Sequence, residues 1–111
     1  MVDPDDAKLV TLARAARARN ATAEGAAVRD DTGRTYVATT VGLPSLPLSA
    51  LQAAVVMAVA SGAEALEAAA VVTPGADVPP SDLAAVADLT PGAPVFVAGL
   101  DGVVRHVAKA P

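Results

Sequence analysis

The scarcity of aromatic side chains is the feature that most constrains how this chain can fold. Hydrophobic residues form 53% of the 111-residue sequence, yet Tyr36 and Phe96 are its only aromatic residues. A core built from Ala, Val and Leu must bring its elements close together, because small side chains leave voids unless backbones approach one another. A chain of this length has room for one modest core. We therefore expect a single, thin-cored domain over residues 1–111.

The charge balance argues against nucleic acid as a partner. Eight basic and twelve acidic residues give a formal net charge of −4, whereas surfaces that bind nucleic acid are basic. Proteins that bind single strands also stack bases on aromatic side chains, which are nearly absent here. Arginine is more frequent than lysine, a bias typical of GC-rich bacterial genomes. We predict a bacterial protein with no nucleic-acid partner.

Metal-binding and membrane functions find little support in the composition. The chain has no cysteine and one histidine, His106, so it offers no disulfide, no thiolate nucleophile and no two-histidine metal site. Its longest apolar run, from Leu48 to Ala60, is too short to cross a bilayer. The first residues are acidic, whereas an export signal begins with basic residues. We expect a cytoplasmic protein without a cofactor and without a membrane partner.

Three segments carry the sequence signals of helices. Asp3 and Pro4 stand where an N-cap and a first helical residue are expected, and apolar residues then recur at helical spacing. A second helix is predicted over Ala50–Ala60; it is apolar on nearly all sides, so we expect most of its surface to be buried. Pro80–Leu89 is predicted as a third, shorter helix.

Five segments are predicted as strands, and together with the helices they indicate an α/β fold. A cluster of turn residues at Asp31–Gly33 joins the first two strands into a hairpin, and Leu100–Gly102 does the same for the last two. The order of elements is α-β-β-α-β-α-β-β. The predicted strands are Gly25–Val28, Arg34–Val41, Ala68–Val72, Pro94–Ala98 and Val103–Val107, with a loop over Gly42–Pro47.

This order of elements, together with local strings along nearly the whole chain, resembles the cytidine deaminase family. Where that family carries Cys-Ala-Glu-Arg-Ala-Ala, residues 49–54 read Ser-Ala-Leu-Gln-Ala-Ala, and its Pro-Cys-x-x-Cys string falls at Pro79–Leu83. The resemblance implies a three-layer α/β/α domain with a mixed five-stranded sheet, assembled as a homodimer or homotetramer. The other similar strings are Leu9–Ala16, Gly25–Val28, Asp31–Tyr36 and Leu100–Gly102.

The resemblance also assigns the catalytic positions, and this chain has replaced all of them. The family holds zinc with three Cys or His ligands, and a glutamate beside the metal shuttles protons to the pyrimidine ring. The first ligand position is Ser49 and the glutamate position is Leu51. The other two ligand positions are Pro80 and Leu83. A hydroxyl holds zinc weakly and the other side chains have no donor atom, so we expect no metal ligand and no catalytic residue.

Two further positions belong, by the resemblance, to the substrate pocket. The family's second strand ends in an Asn-x-Glu pair that holds the ribose, and the matching positions here are Thr40 and Gly42. Thr40 keeps one hydroxyl group, whereas Gly42 has no side chain. Asp82 is interpreted as a helix-terminal residue stabilised by the helix dipole, and His106 as a surface residue of the last strand.

Three functions follow from these positions, and the first is favoured. The apolar residues Leu51, Pro80 and Leu83 suggest a pseudoenzyme whose former metal site is filled by packing, and which acts through oligomerisation or contact with a protein partner. An active cytidine deaminase is the least supported function, because the groups that it needs are absent. The alternative is a module that binds a nucleoside or nucleobase without turnover. Its polar groups would be Thr40, Ser45, Ser49 and Gln52.

Overall fold

A computed structural model of the chain describes residues 2–111. Its helices and main strands follow one another in the predicted order, and most of their ends lie within one or two residues of the predicted ones. The helices are α1 (Pro4–Asn20), α2 (Ala50–Ala60) and α3 (Pro80–Leu89), and the strands are β1 (Gly25–Asp30), β2 (Thr35–Thr39), β3 (Val41–Leu43), β4 (Leu46–Leu48), β5 (Leu66–Val72), β6 (Pro94–Ala98) and β7 (Val104–Lys109).

Five of the strands form a mixed sheet in the order β2-β1-β5-β6-β7. The pair β5–β6 is parallel and is connected through α3, whereas the other neighbouring pairs are antiparallel. Helix α1 packs on one face of the sheet, and α2 and α3 pack on the other. The three-layer α/β/α arrangement that the sequence predicts is therefore confirmed. None of the helices in residues 2–111 is long and apolar enough to cross a membrane.

Helix α1 begins as predicted and lies directly on the backbone of β1. The Asp3 side chain accepts a hydrogen bond from the Asp5 N–H, and Pro4 is the first helical residue. A Cβ atom built on Gly25 would lie 2.1 Å from the carbonyl oxygen of Ala13. Only glycine allows the helix to approach the strand so closely, as the small-residue composition leads us to expect.

The core lies on both faces of the sheet. One cluster of buried side chains joins the sheet to α2 and α3, and the other joins it to α1. Alanine, valine and leucine dominate both clusters, and Phe96 is the single aromatic residue among their buried members. Fully buried side chains include Val28, Leu51, Val86 and Val95 in the first cluster and Leu9, Ala70 and Val72 in the second.

The turn between β1 and β2 is built around the carboxylate of Asp30. Its Oδ1 accepts hydrogen bonds from the backbone N–H and the hydroxyl of Thr32 and from the Arg34 N–H, at 2.6 to 3.0 Å. Its Oδ2 accepts one from the Tyr36 hydroxyl at 2.9 Å. These donors, with the Thr32 hydroxyl contributing most, lower the pKa of Asp30 from 3.8 to about 2 against the effect of its burial.

Two features differ from the sequence predictions. The segment predicted as a loop over Gly42–Pro47 contains a second, two-stranded sheet, in which β3 and β4 pair only with each other. Helix α2 is buried on its inner side alone, since Val56, Met57 and Val59 are 45 to 52% exposed. Because the segment is apolar on nearly all sides, we had expected most of the helix surface to be buried. The described residues, however, contain no element that covers its outer side.

Candidate functional site

The candidate site lies where the N-terminal ends of α2 and α3 meet. The two helices are neighbours on one face of the sheet. Ser49 caps the start of α2, and its hydroxyl interacts with the Asp82 carboxylate in the first turn of α3. These are the helix starts on which the resemblance places the catalytic groups, so the structure brings the predicted positions Ser49, Leu51, Pro80 and Leu83 to one region of the fold.

Besides its contact with Asp82, Ser49 forms the N-cap of α2. Its Oγ accepts a hydrogen bond from the Gln52 N–H at 3.1 Å, and the Gln52 Oε1 accepts one from the Ser49 N–H at 3.0 Å. This reciprocal capping box satisfies two backbone donors that a helix start leaves unpaired. The two polar side chains at the beginning of α2 therefore serve the helix itself.

The residue that the resemblance matches to the proton-shuttle glutamate lies in the core. Leu51 is 0% exposed and belongs to the cluster beneath α2 and α3. Leu83 is partly buried and packs against the same cluster. Pro80 is exposed at the first position of α3, so the interpretation that all three residues fill a former metal site is wrong for Pro80. Its fixed φ suits a first helical residue, which explains a proline there.

Asp82 is the residue of this site that the sequence analysis did not single out for burial. It is 2% exposed, and its Oδ2 has no hydrogen-bond partner among the described residues. Burial raises the pKa of this carboxyl group, and the interaction with the Ser49 hydroxyl offsets the increase only in part. The interpretation from the sequence, which considered only the helix dipole, therefore omitted burial, the largest influence on this pKa.

The two predicted ribose-binding positions lie at the end of β2 and in the small hairpin. The Thr40 hydroxyl accepts a hydrogen bond from the Glu24 N–H at 3.1 Å, and the Thr40 N–H donates to the Glu24 carbonyl at 3.3 Å. Thr40 thus joins the end of β2 to the segment that precedes β1. Gly42 is exposed in β3, where it pairs with Pro47 of β4.

Few hydrogen-bonding groups at this site are free to bind a ligand. Thr40, Ser49 and Gln52 use hydrogen-bonding groups within the fold, and Ser45 is exposed in the turn of the small hairpin. Three surface clefts formed by the described residues, of about 510, 230 and 400 Å³, are lined by other residues. The free Oδ2 of Asp82 is the one buried, unpaired polar atom that the described part of this site offers.

The donor groups present do not fit a zinc ion. Structural and catalytic zinc sites in proteins use at least three nitrogen, sulfur or carboxylate ligands. Here the first turn of α2 has no acidic residue and the first turn of α3 has only Asp82, and Leu51 and Leu83 have no donor atom. Within residues 2–111 no group of three His, Cys, Asp or Glu side chains could hold a metal ion. No reaction step can therefore be assigned to a metal at this site.

His106 lies on β7, as predicted, where it contacts the loop that leads to α3. Its Nε2 is 3.1 Å from the Ala76 carbonyl oxygen and 3.5 Å from Asp77 Oδ1. The neighbouring Arg105 donates a hydrogen bond to the Gly75 carbonyl at 2.7 Å. These contacts give the strand a role in holding the loop between β5 and α3.

Comparisons with known proteins agree with this architecture. A family model described as cytidine deaminase-like matches residues 2–102. The fold is similar to that of a cytidine deaminase from Burkholderia pseudomallei, with a TM-score of 0.80 and 24% sequence identity, over 93% of this chain and 91% of that one. No curated protein matches the sequence. The family resemblance and the fold predicted from the sequence are thus confirmed, and the chain belongs to the cytidine deaminase-like family.

Proposed function

We propose that this protein is a non-catalytic member of its family that acts through protein–protein contacts, first of all with a second copy of itself. One observation carries the proposal: α2, the helix that holds the family's proton-shuttle position, has no charged side chain on either side. On its inner side, Leu51 packs in the core at the position where the family carries a catalytic glutamate. Its outer side presents an apolar surface to the solvent.

The inner side supports the absence of catalysis. Proton transfer to a bound ring requires an ionisable group within hydrogen-bonding reach of it. Leu51 occupies the position where the family carries its glutamate, and it lies within a cluster of buried apolar side chains. Restoring a carboxylate at this position would bury an unpaired charge among them, which costs several kcal/mol or more.

The outer side supports the protein–protein contact. Val56, Met57 and Val59 are about half exposed, as are Leu43 and Leu46 at the turn of the small hairpin. We call the exposed apolar side chains of α2 and of this hairpin the charge-free face. Val56, Met57 and Val59 lie within one turn of α2. Exposed apolar side chains that are grouped on a protein surface mark interaction sites, whereas a helix that faces water carries polar residues on its outer side.

A second copy is the partner that the charges favour. All eight basic and all twelve acidic residues lie outside residues 35–63, the segment that contains α2 and the small hairpin. Two copies that each carry a net charge of −4 repel one another over most of their surfaces. Across the charge-free face they can meet without placing like charges in contact. A symmetric dimer, in which the same face is used twice, is the commonest such assembly.

The experiment measures molar mass by light scattering and sedimentation over a range of protein concentrations. We expect a dimer or tetramer for the natural sequence and a monomer for Val56→Asp, which places a charge on the charge-free face. Ala15→Asp introduces the same charge on an exposed position of α1 and should leave the mass unchanged. A natural sequence that stays monomeric at high concentration would contradict the contact, and cytidine turnover by the metal-loaded protein would contradict the absence of catalysis.

A module that binds a nucleoside or nucleobase without turnover is the second candidate, and the unpaired Oδ2 of Asp82 favours it. A thermal-shift screen with nucleosides, nucleobases and nucleotides separates the two functions. A ligand present at a hundred times its Kd stabilises the folded state by about 2.7 kcal/mol, a shift that is easily seen in a domain of this size. We expect no stabilisation. A specific stabilisation that is lost in Asp82→Asn would favour the binding module.

A further inference from the structure

The two edge strands of the five-stranded sheet differ in charge. β2 forms one edge and β7 the other, and neither has a strand partner on its outer side within residues 2–111. β2 contains no charged side chain, whereas β7 carries Arg105, His106 and Lys109 and no acidic residue. In a chain whose net charge is −4, β7 is therefore a locally basic edge.

The backbone of β7 has unpaired hydrogen-bonding groups at this edge. The Ala110 N–H donates to the Ala93 carbonyl at 3.0 Å, and the Ala110 carbonyl accepts from the Gly92 N–H at 2.7 Å, so both groups point to the β6 side. Successive residues of a strand direct these groups to alternate sides. The N–H and C=O groups of Val107 and Lys109 therefore point away from β6. We call this row of outward groups the free edge.

Two cations flank the free edge, and neither has an ionic partner. Arg105 donates one hydrogen bond, to the Gly75 carbonyl, and a Cβ atom built on Gly99 would lie 2.6 Å from its Nη2. Its guanidinium is thus held at the start of β7. Lys109 is exposed at the other end of the strand. Within residues 2–111 neither side chain forms a salt bridge with a carboxylate.

The acidic groups nearest to the free edge contact other groups. Asp77 Oδ1 lies 3.5 Å from His106 Nε2, and Asp101 Oδ1 accepts a hydrogen bond from the Val103 N–H at 3.0 Å in the turn before β7. Arg14 of α1 adds a further cation, since its Cδ lies 3.1 Å from the position of a Cβ built on Gly102. The positive charges along the strand are therefore available to an acidic partner.

A second copy of the chain is a poor partner for this edge. Two β7 strands paired antiparallel about Val107 would place Arg105 of one copy opposite Lys109 of the other. Like charges directly opposite one another destabilise a strand pair, and lysine on an edge strand protects against edge-to-edge pairing. A strand of opposite charge meets no such repulsion.

We propose that the free edge binds an extended, acidic segment of a partner protein, which adds a sixth strand to the sheet. Backbone hydrogen bonds to Val107 and Lys109 hold the segment, and its acidic side chains pair with Arg105 and Lys109. An apolar residue of the segment covers Val107, which is 47% exposed. Helix α2 packs chiefly on β2 and β1, toward the other edge, so this proposal does not depend on the self-association proposed above.

The test uses the ¹⁵N-labelled full chain and three capped peptides of seven residues. The first, Thr-Glu-Glu-Val-Glu-Glu-Thr, has acidic residues on both sides of a central valine. In the second, lysine replaces every glutamate. In the third, proline replaces the valine, which keeps the charge but removes the N–H that would bond to the Val107 carbonyl. We expect saturable binding of the first peptide, with a Kd at least tenfold lower than that of either control.

Amide hydrogen exchange measures the strand pairing itself. The N–H groups of Val107 and Lys109 face away from the sheet, so the acidic peptide at ten times its Kd should slow their exchange about tenfold. The N–H groups of Ala108 and Ala110 face β6 and should change less. A peptide that bound by charge alone would leave this difference out.

Two charge reversals locate the contact. Lys109→Glu should weaken binding of the acidic peptide about threefold to tenfold, and binding to the natural sequence should weaken as salt is added. Arg19→Glu changes the net charge equally in the last turn of α1, where the next residue, Asn20, contacts Thr39 of β2. It should leave the Kd within about twofold. Both positions are exposed, so the variants should fold.

Four results would overturn the proposal. The first is no saturable binding at about 1 mM acidic peptide, and the second is equal binding of the acidic and lysine peptides. The third is equal binding of the proline peptide, which would show attraction without strand pairing. The fourth is protection of Val107 and Lys109 that rises with protein concentration in the absence of peptide, which would assign the free edge to a second copy of this chain.

Discussion

Asp30 and Asp82 are equally buried, each 2% exposed, but their surroundings shift their pKa values in opposite directions. Asp30 closes the β1–β2 turn, where four hydrogen-bond donors surround its two oxygens. Asp82 lies between the starts of α2 and α3 with one oxygen unpaired. The pKa of Asp30 falls to about 2, and the pKa of Asp82 rises because burial is not compensated.

The comparison shows that burial alone does not determine what a carboxylate contributes to stability. Water removed from Asp30 is replaced by the hydrogen bonds of its own turn, so the ionised form is the stabilising one. Water removed from Asp82 is replaced by little more than the Ser49 hydroxyl. Asp30 therefore stabilises the β1–β2 turn. Asp82 is a buried polar group without a full set of partners, which lowers the stability of the folded state.

The largest effect is expected for Asp30→Ala. The substitution leaves the donors of Thr32, Arg34 and Tyr36 without their acceptor, so the melting temperature should fall by about 5 to 10 °C. The natural protein should also lose stability as the pH falls from about 4 to 2, because Asp30 has a lower pKa in the folded than in the unfolded state. The variant, lacking this carboxylate, should lose less. Thermal unfolding at pH 7, 4 and 2 measures both effects.

Tyr36→Phe is the control for this prediction, because it removes only the donor to Oδ2 and keeps the aromatic ring. It should cause a smaller fall in melting temperature than Asp30→Ala. If Asp30→Ala were as stable as Tyr36→Phe, and its unfolding kept the same dependence on pH between 4 and 2, the stabilising role of the turn carboxylate would be refuted.

A smaller effect of the opposite sign is expected for Asp82→Asn. The folded state raises the pKa of Asp82, so its stabilising contribution is greatest below about pH 4 and is lost as the pH rises through the folded-state pKa. Removing the ionisable group should therefore leave stability nearly unchanged at pH 3.5 and increase it by about 1 kcal/mol at pH 7.5. Urea unfolding midpoints at the two pH values measure the difference.

Asp31→Asn, at an exposed position outside the helices, is the matched control and should change stability much less than Asp82→Asn at pH 7.5. An Asp82→Asn protein that is less stable than the natural one at pH 7.5 would show that the ionised carboxylate has a partner. A ligand bound at the candidate site would be the first partner to consider.

The sequence predicted the helix starts well because they depend on local chemistry. The Asp3 side chain accepts a hydrogen bond from the Asp5 N–H, Pro4 suits the first helical position, and Ser49 and Gln52 form reciprocal hydrogen bonds. Such signals lie within one helical turn and can be read from neighbouring residues alone. The buried strand β5 was also identified, since Pro74 and Gly62 bracket an apolar run. At the candidate site, the sequence also predicted that Ser49 and Leu51 lie at the start of α2 and that Leu83 lies in the first turn of α3, where the structure has them.

The features that escaped prediction depend on contacts between distant segments. The burial of Asp82 arises because α2 and α3 meet at their ends, which no periodicity within α3 reveals. The β3–β4 hairpin contains Pro44 and Pro47, residues that argue against a strand, and its six paired residues are too few to give a pattern. The exposure of the outer side of α2 depends on what the rest of the chain leaves uncovered.

The pairing of the sheet has a consequence for the way the chain folds. Both edges of the sheet are hairpins, β1–β2 and β6–β7, whose partners are close in the sequence, so the entropy lost on closing each of them is small. The central strand β5 pairs with β1 and with β6, which are both distant from it in the sequence. Contacts of this range slow folding. The rate should therefore depend chiefly on the docking of Leu66–Val72 between two hairpins that are already formed.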